Sequence, residues 1–195
     1  MAKIISFEGG IGAGKSTLVN FFAAELGLEK ILEDSYENPF VDDFYAGANV
    51  KLETELVFLL QHYSLLKNAR AKDGSILADF SIEKDLVFAR MNLTTKQYYV
   101  FKQVYDYVVE NVGLSDLVIF LDPPFEISSQ NIANRGRPNE VNINLLYFKN
   151  YADHIKSYFV HESKTKVLMM DNSDLELDSR NEKVREITDA INVMM

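Results

Sequence analysis

Gly9-Gly10-Ile11-Gly12-Ala13-Gly14-Lys15-Ser16-Thr17 fills every fixed position of the pattern G-x-x-x-x-G-K-[ST], and its flanks decide the fold. Ahead of it, Lys3-Ile4-Ile5-Ser6-Phe7 is short, apolar and rich in β-branched residues, which predicts a buried strand. Behind it, Leu18 to Leu26 places apolar residues at helical spacing, and Gly27 is the expected C-cap. Strand, glycine loop and helix are the context in which this loop cradles phosphates. The glycines let successive N–H groups turn inward, and the helix N-terminus adds positive potential. Lys15 supplies a point charge for the β- and γ-phosphates, and Ser16 an oxygen for Mg²⁺. The stretch therefore predicts a nucleoside triphosphate site on Gly9 to Thr17.

The rest of the chain repeats the alternation. Strands are expected at Lys30 to Glu33, Ser75 to Asp79, Leu117 to Asp122 and Thr165 to Asp171. Helices are expected from Asn38-Pro39 onward (proline in the first turn), at Lys51 to Ala71, Ile82 to Leu93 and Lys96 to Val112, the last capped by Thr94-Thr95. Further helices are expected at Phe125 to Asn134, Asn142 to Phe159 and Arg180 to Met195. In the long helix Leu52, Leu56, Leu59, Leu60, Tyr63 and Leu66 are spaced for burial. Such alternation predicts an α/β fold of three layers, a five-stranded parallel sheet flanked by helices on both faces. Ligands of such sheets lie beyond the C-terminal ends of the strands. Glu8, Glu33, Asp79 and Asp122 fall at or just past those ends.

Composition excludes several classes. The 195 residues, 47% hydrophobic and 25% charged, are read as one domain, residues 1–195. A net charge of −9 argues against a nucleic-acid partner. The absence of cysteine excludes disulfides and thiolate metal sites. No apolar run approaches the roughly 20 residues of a membrane span, and no signal peptide fits. A cytoplasmic location without a membrane partner is the expectation.

Phosphoryl transfer needs a metal ligand, a group to orient the acceptor and cations over the transferring phosphate. Asp79, closing the third strand, is placed for Mg²⁺ or its waters. Glu33, closing the second, can take a proton from an acceptor hydroxyl. Arg135 and Arg137 around Gly136 suit a clamp.

These segments resemble the deoxynucleoside kinases, including the bacterial deoxyadenosine and deoxyguanosine kinases. The likeness rests on Phe7-Glu8 with the glycine loop, Glu33-x4-Asn38-Pro39-Phe40-x3-Phe44-Tyr45, Asp79-Phe80-Ser81-x3-Asp85-x2-Phe88-Ala89 and Arg135-Gly136-Arg137-x2-Glu140. It runs in order from residue 4 to about 160. The resemblance implies a P-loop kinase fold with an arginine-bearing lid at about 134–142, and ATP-dependent phosphorylation of a deoxynucleoside 5′-hydroxyl. It makes Glu33 the base, with Lys15, Arg135 and Arg137 on the phosphates and Mg²⁺ on Ser16 and Asp79. Tyr45 and Glu140 would hold the 3′-hydroxyl, and Glu55, His62 and Asp85 the nucleobase. It also implies a homodimer, for which the long helix and the aromatic run Tyr98, Tyr99, Phe101, Tyr105, Tyr107 offer apolar surface.

Glu55 and His62 lie about 700° apart at ~100° per residue, on nearly one face, whereas Gln61, the second choice, lies about 240° round from Glu55. Four departures from the family pattern stand out. Phe80 replaces an arginine, and Lys84, one turn on, is a candidate to reach the same phosphates. Glu55 stands where glutamine is usual and, as a carboxylate, would favour a base edge rich in donors, guanine above all. His62 stands for an arginine, and Asn131 sits where lids often carry another. A thymidylate-kinase-like monophosphate kinase is the alternative. The acids Asp34, Glu37, Asp42 and Asp43 near Glu33 suit a neutral acceptor better than a second phosphate. The base-reading and switch motifs of a regulatory GTPase are absent.

Overall fold

Ile4, Ile5 and Phe7 are fully buried although they point to opposite faces of Lys3–Gly9 (β1), as a central parallel strand requires. The computed structural model describes residues 1–33, 38–136, 144–178 and 180–195. After β1 come α1 (Lys15–Leu26), β2 (Glu29–Ile31), α2 (Val41–Tyr45), α3 (Lys51–Arg70) and β3 (Ser75–Ala78). Then follow α4 (Ile82–Asn92), α5 (Thr95–Val112), β4 (Leu117–Leu121), α6 (Phe125–Arg135), α7 (Leu145–His161), β5 (Val167–Met170) and α8 (Glu182–Asn192). The five strands lie in the order β2-β3-β1-β4-β5, and every pairing is parallel.

Alternating strand residues feed two cores. Ile5, Phe7, Leu77, Leu117, Ile119 and Leu121 face α1 and α8, which contribute Leu18, Val19, Phe22, Ile187 and Ile191. Ile4, Ala78, Val118 and Phe120 face the other way, onto Leu59 of α3, Leu86 of α4, Phe101 and Val108 of α5, and Ile155 of α7. The three expected layers are therefore present. Because β1 lies between β3 and β4, chain connections leave it toward both edges, and a crevice opens at its C-terminal end. The glycine loop sits there.

Local chemistry sets the boundaries. Gly27 closes α1 as expected, its N–H reaching the Ala23 carbonyl. Thr94 caps α5 in a full capping box with Gln97. The Asn144 side chain accepts from the Leu146 N–H and caps α7, Asn181 caps α8 in the same way, and Asn142, where that helix was expected to begin, lies outside the described residues. Two expectations are corrected. Pro39 lies in the turn before α2 rather than in its first turn, because the Asn38 side chain accepts from the Phe40 N–H and makes the turn itself. Leu60, expected inside, is 50% exposed, while Leu59 and Leu66 are buried as expected and share the inner side of α3 with Thr54, Glu55 and His62. No helix among the described residues is long and apolar enough to cross a membrane.

Candidate active site

Gly9 and Gly12 show why the loop needs glycine. Gly9 has φ 144° and a Cβ there would meet the Leu121 carbonyl oxygen at 2.4 Å; Gly12 has φ 81° and would meet that of Ser128 at 2.4 Å. The loop is thus pressed between β4 and α6. Asn131 Nδ2 donates to the Gly12 carbonyl at 2.9 Å, and Asn172 Nδ2 to that of Ala13 at 2.9 Å. Lys15 Nζ lies across the loop, donating to the carbonyls of Gly9 (3.1 Å) and Gly10 (3.0 Å). Burial lowers the pKa of Lys15 against the attraction of Glu8. Glu8 is itself fully buried and accepts from the Ser81 N–H at 2.5 Å; burial pushes its carboxyl up to about 7.

Asp79, immediately past β3, joins the phosphate loop to the β2 end. Its Oδ2 accepts from Ser16 Oγ at 2.5 Å and its Oδ1 from the Glu33 N–H at 2.8 Å. Ser16 and Asp79 are the oxygen donors placed to share a hard cation. Among the described residues no cluster of three or more His, Asp or Glu forms a cage. A pair of protein oxygens is what Mg²⁺ uses when phosphates and water complete its shell.

Glu33 keeps 25% of its side chain exposed to the crevice. Lys84 Nζ donates to Glu33 Oε2, and His62 Nε2 lies 3.5 Å from Oε1. Burial alone would raise the Glu33 carboxyl, but Lys84 and His62 hold it well below the usual carboxylate range. The same contacts, with Glu8 and Asp85, keep Lys84 charged against burial. Lys84 also lies 5.9 Å from the centre of the Phe80 ring, so a cation does return near the position where the family pattern has arginine. Phe80 is fully buried and stacks on His62 at 4.3 Å.

One cavity of about 800 Å³ carries nearly all these groups. Its wall runs from Ile11 through Thr17 past Glu33, Tyr45, Glu55, Asp79, Lys84 and Asp85 to Arg135 and Asn172. Arg135 stands at the C-terminal end of α6, closed by Gly136, and Tyr45 at that of α2. His62 and Gln61 are absent from the wall. Arg137 and Glu140, most of the expected lid, and Asp34 and Glu37 lie outside the described residues. Asp122, another strand-end acid, pairs with Lys156 at 2.7 Å away from this cavity.

Two residues in or behind the wall escaped sequence reasoning. Asn92 Nδ2, at the end of α4, donates to Glu55 Oε1 at 2.8 Å and to the Tyr147 hydroxyl at 3.2 Å. Burial raises the Glu55 carboxyl to about 8, so near neutral pH it carries a proton and donates as well as accepts. Asn172 was detectable as the second residue past β5, on the crevice side.

A phosphate loop at the switch point, a carboxylate aimed across the crevice and a metal-competent pair between them define a P-loop phosphotransferase. The family model described as deoxynucleoside kinase matches residues 5–195, and the chain belongs to that family. It is a deoxynucleoside kinase, a phosphotransferase acting on deoxynucleosides. Among its relatives is the deoxyguanosine kinase of Bacillus subtilis (strain 168), 30% identical over 155 residues, spanning 76% of this chain and 74% of that protein. The deoxyadenosine/deoxycytidine kinase of the same organism is 24% identical over 198 residues, spanning 97% and 91%. In fold it is similar to the deoxyadenosine kinase of M. mycoides solved with bound dATP, with TM-score 0.82 at 22% identity over 97% of this chain and 99% of that one.

Proposed function

We propose that the chain transfers the γ-phosphoryl group of Mg²⁺-bound ATP to the 5′-hydroxyl of a purine deoxynucleoside, serving nucleotide salvage. The observation that carries this is the Asp79 bridge, which ties Ser16 of the phosphate loop and Glu33 to one carboxylate. The triphosphate end and the acceptor end of the crevice are thereby held in register, which is most of what phosphoryl transfer asks of a protein. Ser16 and Asp79 would hold Mg²⁺, whose charge offsets that gathering on the phosphates. Lys15 and Arg135 face the same phosphates, and Arg137 joins them on the family pattern.

Glu33 receives the hydroxyl hydrogen. A carboxylate held below its usual pKa is a weak base, yet a loose transition state needs the acceptor oxygen aligned more than it needs early deprotonation. Tyr45, in the same cavity wall as Glu33, takes the deoxyribose, with Glu140 as its partner on the family pattern. Glu55, steadied by Asn92, meets the base. The purine reading is supported by the names of the relatives, and a homodimer by exposed Leu60 on α3 with Tyr99 and Tyr107 on α5. A cytoplasmic location fits the cysteine-free composition.

The test is ADP release from ATP with each common deoxynucleoside in turn. Turnover is expected with deoxyguanosine or deoxyadenosine, and ATP binding without turnover on any of them would defeat the proposal. Glu33→Gln should lower kcat by about a hundredfold or more while ATP affinity stays nearly unchanged.

A further inference from the structure

His62 lies behind the crevice wall, not in it. Its side chain is 1% exposed, against 25% for Glu33 in front of it. The ring is clamped between Phe80, at 4.3 Å and 21°, and Phe58, at 6.2 Å and 19°. Its nitrogens are therefore aimed by packing. Nδ1 lies 2.8 and 3.0 Å from the two carboxylate oxygens of Asp85. A carboxylate only accepts, so Nδ1 carries a hydrogen. Nε2 is buried, has no hydrogen-bond partner, and faces Glu33 Oε1 at 3.5 Å. An imidazolium has two N–H groups, and a guanidinium has five. Both of this ring's groups point at carboxylates, so no donor is left for a nucleobase.

We infer that His62 is a positioning residue for Glu33, anchored by Asp85, and that it does not read the base. The inference rests on Glu33 being the group that receives the hydroxyl hydrogen. Lys84 holds one oxygen of that carboxylate and His62 stands behind the other, which fixes the direction in which the remaining lone pairs face the acceptor. Swapping the ring nitrogens for carbons would break the contact with Asp85, and the flanking rings restrict tilting. The surrounding charges agree: burial opposes a charged imidazole and so does Lys84, but Asp85 and Glu33 prevail and raise its pKa to about 9. Discrimination among bases then falls to the residues that line the cavity, Glu55 and Asp85.

The experiment compares His62→Gln, Asp85→Asn and the double variant with the parent chain, on each common deoxynucleoside, with thermal melting as a check of folding. A positioning role predicts that in His62→Gln kcat falls about tenfold for every base alike, while KM and the ratio of kcat/KM between bases hold within about threefold. It also predicts that the double variant is little worse than either single one, because each breaks the same support. A change of base preference in His62→Gln by about tenfold or more with kcat retained would show a base reader and overturn the inference. Unchanged kinetics in His62→Gln would overturn it as well. Should His62→Gln fail to fold, the smaller amide variant His62→Asn decides: loss confined to one base goes against the inference, loss common to all goes with it. Glu33→Gln, run alongside, separates the two claims. If that variant is inactive while His62→Gln is unaffected, the base assignment stands and the positioning role falls; if Glu33→Gln turns over normally, the base assignment falls first and the positioning role with it.

Discussion

Glu55 shows how an environment can rewrite a side chain. In water it is an acceptor with two oxygens. Here burial raises its carboxyl to about 8, against the hydrogen bond from Asn92, which favours the charged form. At neutral pH one oxygen takes the Asn92 hydrogen and the acid keeps one donor and one acceptor, the inventory of a glutamine amide. The family pattern has glutamine at this position, so the substitution changes less than its formal charge implies. Glu55→Gln is therefore expected to retain kcat/KM within about threefold at pH 7. The parent's kcat/KM should fall above pH 8, where the acid ionises in a dry wall, and the variant's should not. Parallel pH profiles for the two would show that Glu55 is ionised throughout and that the donor argument is wrong.

Between elements, the phosphate loop fits closely against α6. A methyl group at Gly12 would meet the Ser128 carbonyl at 2.4 Å and Ile132 Cγ1 at 2.9 Å, on a backbone with φ 81°. Gly12→Ala must push α6 outward and break the bond from Asn131 to the loop. ATP affinity, read by calorimetry, is expected to fall about tenfold or more, and the melting temperature by several degrees. Unchanged ATP binding would mean that α6 does not brace the loop. This element was legible in sequence because its fixed letters sat between a strand and a helix, and the strand-end rule placed Glu33 and Asp79 correctly beside it. On α3 the spacing holds for Leu52, Leu56, Leu59, Tyr63 and Leu66 and fails at Leu60. Apolar spacing was used to find its inner side, yet that side lies partly over a polar crevice and carries Thr54, Glu55 and His62. Leu60 lies about 140° round from Glu55 and about 160° from His62 at ~100° per residue, so it points away from both. Asn92 and Tyr147 come together from α4 and α7, which are distant in sequence, and no local pattern could have paired them.

Across the whole molecule, the buried acids and His62 set how stability changes with pH. Burial raises Glu8 from 4.5 to about 7 and Glu55 from 4.5 to about 8. His62 rises from 6.5 to about 9, where Asp85 outweighs burial. In each case the folded chain holds its proton more tightly than the unfolded one. The stabilisation is present in full below the unfolded value and is lost as pH climbs through the folded value. Between pH 5 and 9 these three groups all act in one direction, downward. Glu33 acts oppositely: Lys84 and His62 overcome burial and lower its pKa, so its contribution exists above 4.5 and disappears as acid protonates it. The two trends meet near the unfolded carboxylate value of 4.5, where stability is greatest, and stability falls steadily from there toward pH 9. Melting temperatures measured across pH 4 to 9 at fixed ionic strength should trace that dome, and the alkaline limb should flatten in Glu55→Gln. A melting temperature level from pH 6 to 9 would mean that these groups titrate alike in the folded and unfolded chains. The crevice would then be wetter, and its carboxylates freer, than the buried network joining Glu33, His62, Lys84 and Asp85 allows.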